Sequence, residues 1–210
     1  CVGIPTECMP LFITCMPRTI RIISEMFDSR LKPGDIILTN DPWIGSGHKS
    51  DVALISPLFL NNKLNGFIGT ILHVADIGGT IGDFRAWDFY EEGLMIPPIK
   101  LYKSGKLNTE LIEMISDNVR LPKLVLGDIF AMVSTINSLH QKIANLKNSI
   151  PNLDLCQIAE SYSTRMGLAF KNHIKDLPKG TFISELNVDG LLLGDINQQR
   201  DIKLKVKITI

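Results

Sequence analysis

The sequence predicts an α+β fold, with strand signals in its first half and helical periodicity in its second. Short aliphatic and β-branched runs alternate with Gly, Pro, Asn and Asp over residues 34–101, as in strands joined by turns. Apolar residues recur at steps of three and four over residues 109–175, which is typical of amphipathic helices. Alternating Lys and aliphatic residues return at the end. We therefore expect a strand-rich hairpin or meander region (1–108), a helical hairpin (109–176) and returning strands that start a further β region (177–210).

The strand-rich region is predicted to contain a meander of three strands. The first is the apolar run Asp35–Thr39, which ends at Asn40-Asp41-Pro42, three residues that favour turns. The second starts at Val52 and leads to Asn61-Asn62-Lys63, a hairpin signal. A buried strand then returns over residues 66–74. We expect functional side chains at the ends of these strands.

Two helices joined by a short loop are predicted to follow. The connection, residues 148–152, is short enough for the helices to lie antiparallel. After Pro151, an apolar stripe on the second helix runs from Leu155 to His173. The first helix, after Pro122, carries one stripe over about six turns. Its members are Leu126, Ile129, Val133, Ile136, Leu139, Ile143 and Leu146.

The two ends of the sequence indicate a piece of a longer protein. The chain opens on Cys1 with neither an initiator Met nor a signal-peptide pattern. It closes on the alternating strand 201–210, with no turn after it. A lone strand cannot bury its apolar face, so this strand needs a partner strand. We expect that partner to lie outside the sequence. Residues 1–210 are therefore expected to be an internal fragment of a catalytic subunit.

Composition argues against several classes of protein. The 22 Lys+Arg and 22 Asp+Glu residues give a formal net charge of zero, whereas nucleic-acid binding proteins normally carry a basic excess. No apolar run reaches the ~20 residues of a membrane span. The four cysteines have neither zinc-knuckle nor disulfide spacing, which favours free thiols in a reducing compartment. We expect a cytoplasmic protein that binds neither nucleic acid nor membrane.

Two His-x-x-Asp pairs are the strongest chemical signal. His48 and Asp51 lie in a glycine-containing loop, and His73 and Asp76 lie at the end of an apolar strand. The two pairs converge if the strands between them form a hairpin. Imidazole and carboxylate ligands suit Zn²⁺, Mn²⁺ or Fe²⁺, and three protein ligands leave a position for water or substrate. The same spacing also fits ordinary turns, in which Asp caps the backbone and His is solvated.

The remaining histidines and one pair of glutamates are predicted to be structural. His173 lies on an apolar helical stripe and His140 borders one, so packing or surface roles are expected for both. Glu91 and Glu92 are adjacent and face different ways, so we expect both to be solvated and not to form an acid/base pair.

The order of these motifs resembles that of the hydantoinase B/oxoprolinase family. The resemblance begins at Pro33-Gly34-Asp35-Ile36 and Thr39-Asn40-Asp41-Pro42. It continues through Gly47-His48-x-x-Asp51 and His73-x-x-Asp76-Ile77-Gly78-Gly79. Further matches follow at residues 92–102, 118–122 and 126–131, with weaker similarity from Leu177 to the end. Family members are considerably longer than this sequence.

The resemblance implies a subunit of an ATP-dependent hydrolase of cyclic amides such as hydantoins or 5-oxoproline. A partner hydantoinase A-type subunit would use ATP and Mg²⁺ to phosphorylate the amide or enol oxygen of the substrate. Carried over by position, His48, Asp51 and His73 would hold a divalent metal (Zn, Mn or Fe) that activates water. Asp76 and Asp41 match acidic positions beside it, where they would orient a ligand or accept a proton.

Two alternatives stay open. The family also includes subunits of acetone and acetophenone carboxylases, so the same metal would instead stabilise the enolate of a ketone that attacks CO₂. A non-catalytic assembly subunit is the second alternative. Many members read Pro-x-His-Leu-Gly-x-Met-Pro where this sequence has Phe12 at the His position, and many carry Ala-Gln where it has Ala131-Met132. Loss of one imidazole near the site favours this second alternative.

Overall fold

The computed structural model describes residue 3 and residues 7–80, 86–192 and 199–210 of the 210-residue chain. It divides into two compact units, residues 1–156 and 157–210. Helices and antiparallel strands are segregated along the chain, which confirms the α+β class. The first unit contains α1 (Pro10–Phe27), β1 (Ile36–Thr39), β2 (Asp51–Leu60), β3 (Lys63–His73), β4 (Ile99–Lys103), β5 (Lys106–Leu107), α2 (Thr109–Asn118) and α3 (Pro122–Ser149). The helix α4 (Leu155–Lys175) begins at the boundary, and β6 (Thr181–Leu192) and β7 (Gln199–Thr209) follow it.

The first unit is built on one antiparallel sheet with the strand order β3-β2-β1-β4-β5. The strands β1, β2 and β3 form the predicted three-stranded meander. The predicted hairpin between β2 and β3 turns at Asn61 and Asn62, whose φ angles are 51° and 60°. Two consecutive positive φ values define the type I′ turn, whose twist matches that of the flanking strands. The hairpin therefore holds β2 and β3 in a fixed register.

Helices cover both faces of this sheet, and the core lies in two layers. On one face, Leu38, Val52 and Leu54 pack with residues of α2 and α3. On the other face, Ile37 and Ile55 pack with residues of α1. Successive residues of β1 and β2 point to opposite faces, and both faces are buried. This explains why both strands have continuous apolar sequences.

The helix α1 lies in the region that we expected to be strand-rich. Thr19, Ile23 and Phe27 are its buried residues, and their spacing of four places them on one face. The sequence signal is weak because Pro17 lies inside the helix and the exposed positions include large apolar residues such as Leu11. Packing against the sheet, and not intrinsic propensity, accounts for this helix.

The predicted long helix is present as α3, but only three of the seven residues of its predicted stripe are buried. Ile129, Val133 and Ile136 are buried as expected, whereas Leu139 and Leu146 are exposed. The buried residues of α3 lie in the part of the helix that packs on the sheet and on α2. Val125 and Met132 are also buried there.

The other predicted helix is present as α4, and its apolar residues Ile158, Tyr162 and Met166 are exposed. The antiparallel packing of the two helices stays a prediction. Among the described helices, none is long and apolar enough to cross a membrane.

The last strand has a partner within the chain, so the expectation that it lacks one was wrong. β6 pairs with β7 in antiparallel register, from Thr181 opposite Thr209 to Leu192 opposite Gln199. Both strands are long enough to pair along most of their length, and Phe182 and Ile208 lie opposite each other. Both of these side chains are about half exposed.

Candidate metal centre

The β2–β3 hairpin brings the two His-x-x-Asp segments together. Asp51 is the first residue of β2 and His73 is the last residue of β3, and the register of the hairpin places them directly opposite each other. His48 lies three residues before Asp51, at the end of the loop that follows β1. The predicted convergence is therefore confirmed for three of the side chains.

These three side chains form one group around the carboxylate of Asp51. Its Oδ1 lies 3.0 Å from Nδ1 of His73, and its Oδ2 lies 2.9 Å from Nε2 of His48. The centroids of the two imidazole rings are 5.0 Å apart. The side chain of Asp51 is 2% exposed, whereas those of His48 and His73 are 34% and 51% exposed. The carboxylate thus lies beneath two imidazoles that face the surface.

The donor atoms of this group fit a divalent cation. One ligand atom from each of the three residues can be chosen so that all lie within 4.8 Å of one another. Two nitrogen donors and one carboxylate oxygen are ligands that Zn²⁺, Mn²⁺ and Fe²⁺ accept. Nδ1 of His48 is buried and has no hydrogen-bond partner among the described residues, so this site has a polar atom left to satisfy.

Asn40 holds the loop before His48 in place. Its side-chain amide donates hydrogen bonds to the carbonyls of Lys49 and Leu94, and its Oδ1 accepts one from the N–H of Ile96. Asn40 is buried, so these bonds tie two loops together away from water. From the sequence, this residue is expected only to form part of a turn.

Lys49 is a buried cation that directly follows His48 in the chain, and sequence reasoning missed it. Its side chain is 2% exposed, and its Nζ donates to the carbonyls of Phe89 and Gly93. Burial lowers the pKa of Lys49, although the nearby carboxylates of Glu92 and Asp88 oppose this effect. No sequence signal distinguishes this Lys from a solvated one, because its partners are backbone carbonyls about forty residues away.

The prediction for the glutamate pair was correct for one residue only. Glu91 is exposed, as expected. Glu92 is only partly exposed, and its Oε2 accepts a hydrogen bond from the backbone N–H of Lys49. This bond connects the loop that contains Glu92 with the loop that contains His48.

The backbone segment that follows His73 closely approaches the segment around Gly93, and this approach requires glycine on both sides. Gly79 and Gly93 have φ angles of 63° and 116°, and a Cβ on either would collide with the opposing backbone. The N–H of Thr80 donates to the carbonyl of Glu91 across this contact. The Gly-Gly pair that ends the predicted strand therefore serves close packing of the loops.

Asp76 is engaged by the segment that leads into α3. Its carboxylate accepts hydrogen bonds from the backbone N–H groups of Gly78, Arg120 and Leu121. It also pairs with the Arg120 guanidinium at 3.0 Å. Burial alone would raise the pKa of Asp76, but the three N–H groups and the guanidinium outweigh it and lower the pKa. These contacts keep Asp76 ionised and fix the loop after β3.

Asp41 caps a turn in the loop after β1. Its Oδ1 accepts a hydrogen bond from the N–H of Trp43 at 2.9 Å, and its carbonyl accepts from Ile44 and Gly45. The contacts of Asp41 and Asp76 are thus with groups outside the His48, Asp51 and His73 cluster. Catalytic roles for these two carboxylates stay predictions.

The helix α1 contacts the loop that contains His48. Thr19 of this helix donates to the carbonyl of Ile44, in the same loop as His48. Burial raises the pKa of the Cys15 thiol, and the negative charge of Asp51 adds to that effect. Phe12, the position at which the family resemblance implies a His, lies on the same helix, one turn before Cys15.

His140, for which the sequence predicts a packing or surface role, contacts β2. Its Nε2 lies 2.9 Å from Oγ of Ser56, and burial lowers the pKa of His140. It is not a member of the His48, Asp51 and His73 group.

Known proteins resemble this chain over most or nearly all of its length. The family model described as hydantoinase B/oxoprolinase matches residues 3–210. A protein of Pseudomonas sp. (strain NS671), assigned as the B-type component of a D-/L-hydantoinase, is 32% identical over 212 residues, which cover 96% of this chain and 35% of that protein. The delta subunit of acetophenone carboxylase from Aromatoleum aromaticum is 24% identical over 134 residues, or 62% of this chain and 20% of that protein.

A solved structure shows the same fold. The crystal structure of the ATP-dependent caprolactamase from Pseudomonas jessenii superposes with a TM-score of 0.81 at 20% sequence identity. The match covers 94% of this chain and 35% of the caprolactamase chain. The chain thus spans about a third of the length of the hydantoinase component and of the caprolactamase chain.

Proposed function

The chain belongs to the hydantoinase B/oxoprolinase family, and from this premise we propose that it is part of the B-type component of an ATP-dependent cyclic-amide hydrolase. The observation that carries the proposal is the group formed by His48, Asp51 and His73 at the end of the β2–β3 hairpin. The 32% identity to an assigned hydantoinase component over nearly the whole chain supports this substrate class.

His48, Asp51 and His73 would hold a divalent cation in this proposal. Such an ion, when bound, supplies Lewis acidity, which polarises a carbonyl oxygen and lowers the pKa of water. Asp51 is the organising residue, because its carboxylate contacts both imidazoles. Ser46 donates a hydrogen bond to the same carboxylate and restricts its rotation.

The two further carboxylates receive different roles. Asp41 has one carboxylate oxygen, Oδ2, without a hydrogen-bond partner among the described residues, so we assign it the role of proton acceptor. Asp76 is held by Arg120 and by three backbone N–H groups, so we assign it a positioning role for the loop after His73. Both assignments rest on the contacts of these residues and on their match to the family pattern.

A partner subunit of the hydantoinase A type would supply ATP and Mg²⁺. The glycines around Ser46 lack the Lys and the spacing of a phosphate-binding loop, so we place ATP chemistry on the partner. The partner would phosphorylate the amide oxygen and make the carbonyl carbon of the ring susceptible to water. Assembly with this subunit and a cytoplasmic location are parts of the proposal.

A carboxylase subunit is the second candidate, favoured by the similarity to the acetophenone carboxylase delta subunit. The same residues would then face the enolate of a ketone. This candidate ranks below the hydrolase, because both the identity and the covered share of the chain are lower than for the hydantoinase component.

A non-catalytic assembly subunit is the third candidate, and Phe12 is the residue that favours it. This candidate predicts that the group around Asp51 binds no metal, which metal analysis of the purified protein tests directly.

Turnover by the assembled complex tests the hydrolase proposal. The full chain and its ATP-binding partner are incubated with ATP, Mg²⁺ and a hydantoin, or with ATP, Mg²⁺, bicarbonate and a ketone. A hydrolase produces the ring-opened N-carbamoyl amino acid from the first mixture only. Product from the second mixture alone would support the carboxylase. His48→Ala should abolish turnover, whereas the exposed control His173→Ala should retain it.

A further inference from the structure

An aromatic cavity of about 380 Å³ lies next to the proposed metal centre. Two loops form it: the loop between β1 and β2, which contains His48, and the loop that leads into β4. Gly47, which lines the cavity, immediately precedes His48 in the chain. The other side chains that matter for its chemistry are Trp43, Trp87, Phe89, Asp88 and Glu92.

Both tryptophans of the chain line this cavity, and both are exposed. Trp43 is 76% exposed and Trp87 is 71% exposed. Large aromatic surfaces of this kind favour burial against an apolar group, with an offset or edge-on ring preferred. The two indoles lie on different loops and line one cavity, so both are available to an apolar group that enters it.

The charges of the cavity disfavour a carboxylate ligand. Asp88 and Glu92 are the only charged residues among the described residues that line it. The nearby Lys49 has its Nζ bound to two backbone carbonyls and lies 3.8 Å from the centre of the Phe89 ring. Its cation is therefore directed at the protein and is not offered to a ligand. A carboxylate in this cavity would meet like charge without a compensating cation from these side chains.

Hydrogen bonds hold both loops in their observed conformations. Oδ1 of Asp88 accepts from the N–H groups of Tyr90 and Glu91, and Oε2 of Glu91 accepts from the N–H of Trp87. Glu92 accepts from the N–H of Lys49 in the other loop. A cavity held in this way needs little reorganisation when a ligand enters, which favours affinity.

We propose that this cavity binds an aromatic or other apolar substituent on a neutral cyclic amide, and that it discriminates against a ring that carries a carboxylate. The proposal rests on the proposed function and names its substrate class. It predicts that a hydantoin with an aromatic side chain is accepted, whereas a carboxylated lactam such as 5-oxoproline is a poor ligand.

Tryptophan fluorescence of the full chain measures this binding without a partner subunit or turnover. 5-Benzylhydantoin and hydantoin-5-acetic acid share the hydantoin ring. The first carries an apolar side chain and the second an anionic one. We expect saturable quenching by the first, with a dissociation constant at least about tenfold lower than for the second. Equal affinities, a preference for the acid, or no saturable quenching by 5-benzylhydantoin would overturn the proposal.

Variants test which residues cause the preference, and isothermal titration calorimetry reports their binding independently of fluorescence. Trp43→Ala and Trp87→Ala should each weaken binding of 5-benzylhydantoin by about tenfold. Trp43→Phe should bind nearly as well as the wild type, because it keeps an aromatic ring. Tyr162→Ala, which removes an exposed aromatic residue of α4, is the matched control and should change nothing. Wild-type affinity in both tryptophan-to-alanine variants would contradict the assignment.

A charge variant tests the role of the carboxylates. Glu92→Gln keeps an oxygen to accept the N–H of Lys49 but removes the negative charge, so it should improve binding of hydantoin-5-acetic acid. Glu160→Gln, which removes a carboxylate from an exposed position of α4, is the control and should leave both affinities unchanged. An equal effect of the two variants on binding of the acid would overturn the charge argument.

Failure of this proposal and failure of the proposed function give different results. If the assembled complex hydrolyses no hydantoin while the full chain still prefers 5-benzylhydantoin, the cavity assignment stands and the hydrolase proposal is wrong. If the complex hydrolyses hydantoins but the full chain shows no preference for the apolar side chain, the cavity assignment alone is wrong.

Discussion

Asp51 and His73 lie directly opposite each other at the end of the β2–β3 hairpin, and Oδ1 of Asp51 is 3.0 Å from Nδ1 of His73. The two residues are separated by 22 positions in the sequence, so their contact depends on the register of the hairpin. A shift of one residue would move one of these side chains to the other face of the sheet. The geometry of the turn therefore contributes directly to the geometry of the candidate metal centre.

The turn at Asn61 and Asn62 should consequently be sensitive to β-branched residues. Asn62 has a φ of 60°, which a β-branched side chain disfavours. Asn62→Val should lower the free energy of unfolding by about 1–2 kcal/mol, measured by urea denaturation. Asn62→Gly, the matched control, should leave the stability equal or higher. A Val variant as stable as the Gly variant would contradict the turn assignment.

Truncation of Lys49 should destabilise the first unit. Lys49→Ala leaves the carbonyls of Phe89 and Gly93 without their buried donor and removes a fully buried side chain. We expect a loss of about 2–4 kcal/mol in the free energy of unfolding, measured by urea denaturation. Lys142→Ala, at an exposed position of α3, should change stability by less than about 0.5 kcal/mol. Similar losses in both variants would show that burial of Lys49 is unimportant.

The contribution of Asp76 to stability should depend on pH. Its pKa is lowered in the folded protein, so the ionised carboxylate stabilises the fold above its ordinary value of 3.8. This contribution is lost as the pH falls through the lowered pKa. Asp76→Asn should therefore be less stable than the wild type at neutral pH, with the difference shrinking as the pH falls below 3.8.

Urea denaturation of the wild type and Asp76→Asn across this pH range checks the sign of the effect. Asp176→Asn, at an exposed position, is the control and should be close to the wild type throughout. A difference for Asp76→Asn that grows as the solution becomes more acidic would contradict the contacts with Arg120.

Restoring an imidazole at position 12 should strengthen metal binding. The family resemblance implies an imidazole at this position, and Phe12 lies on α1, the helix whose Thr19 donates to the loop that contains His48. Phe12→His should lower the dissociation constant for Zn²⁺ by about tenfold in a competition assay with a chelating dye. Ile13→His, one position along the same helix and on a different face, should have no such effect. Equal effects of both variants would argue against a position beside the site.

Local sequence signals were sufficient to predict the hairpin and the convergence of His48, Asp51 and His73. The Asn61-Asn62 turn signal and the spacing of His48, Asp51 and His73 are short-range features, and the hairpin converts them into a three-dimensional contact. The α3 prediction was correct in its position, but periodicity alone could not show where burial ends. Leu139 and Leu146 continue the stripe beyond the part of the helix whose residues are buried.

Features that depend on distant partners could not be predicted. Lys49 is buried because carbonyls of a loop some forty residues later surround it, and a local pattern carries no information about them. The partner of β7 lies in β6, a strand whose sequence gives no local sign of that pairing. The helix α1 forms despite an internal Pro17 because its Ile23 and Phe27 pack on the sheet.

The metal content of the purified full chain tests the central claim most directly. We predict about one equivalent of Zn, Mn or Fe per chain by mass spectrometry in the wild type and in the control His173→Ala. The double variant His48→Ala/His73→Ala should retain the fold by circular dichroism and lose the metal, because two of three proposed ligands are gone. Full metal occupancy in the double variant, or a wild type that takes up no divalent metal, would contradict the proposed metal centre.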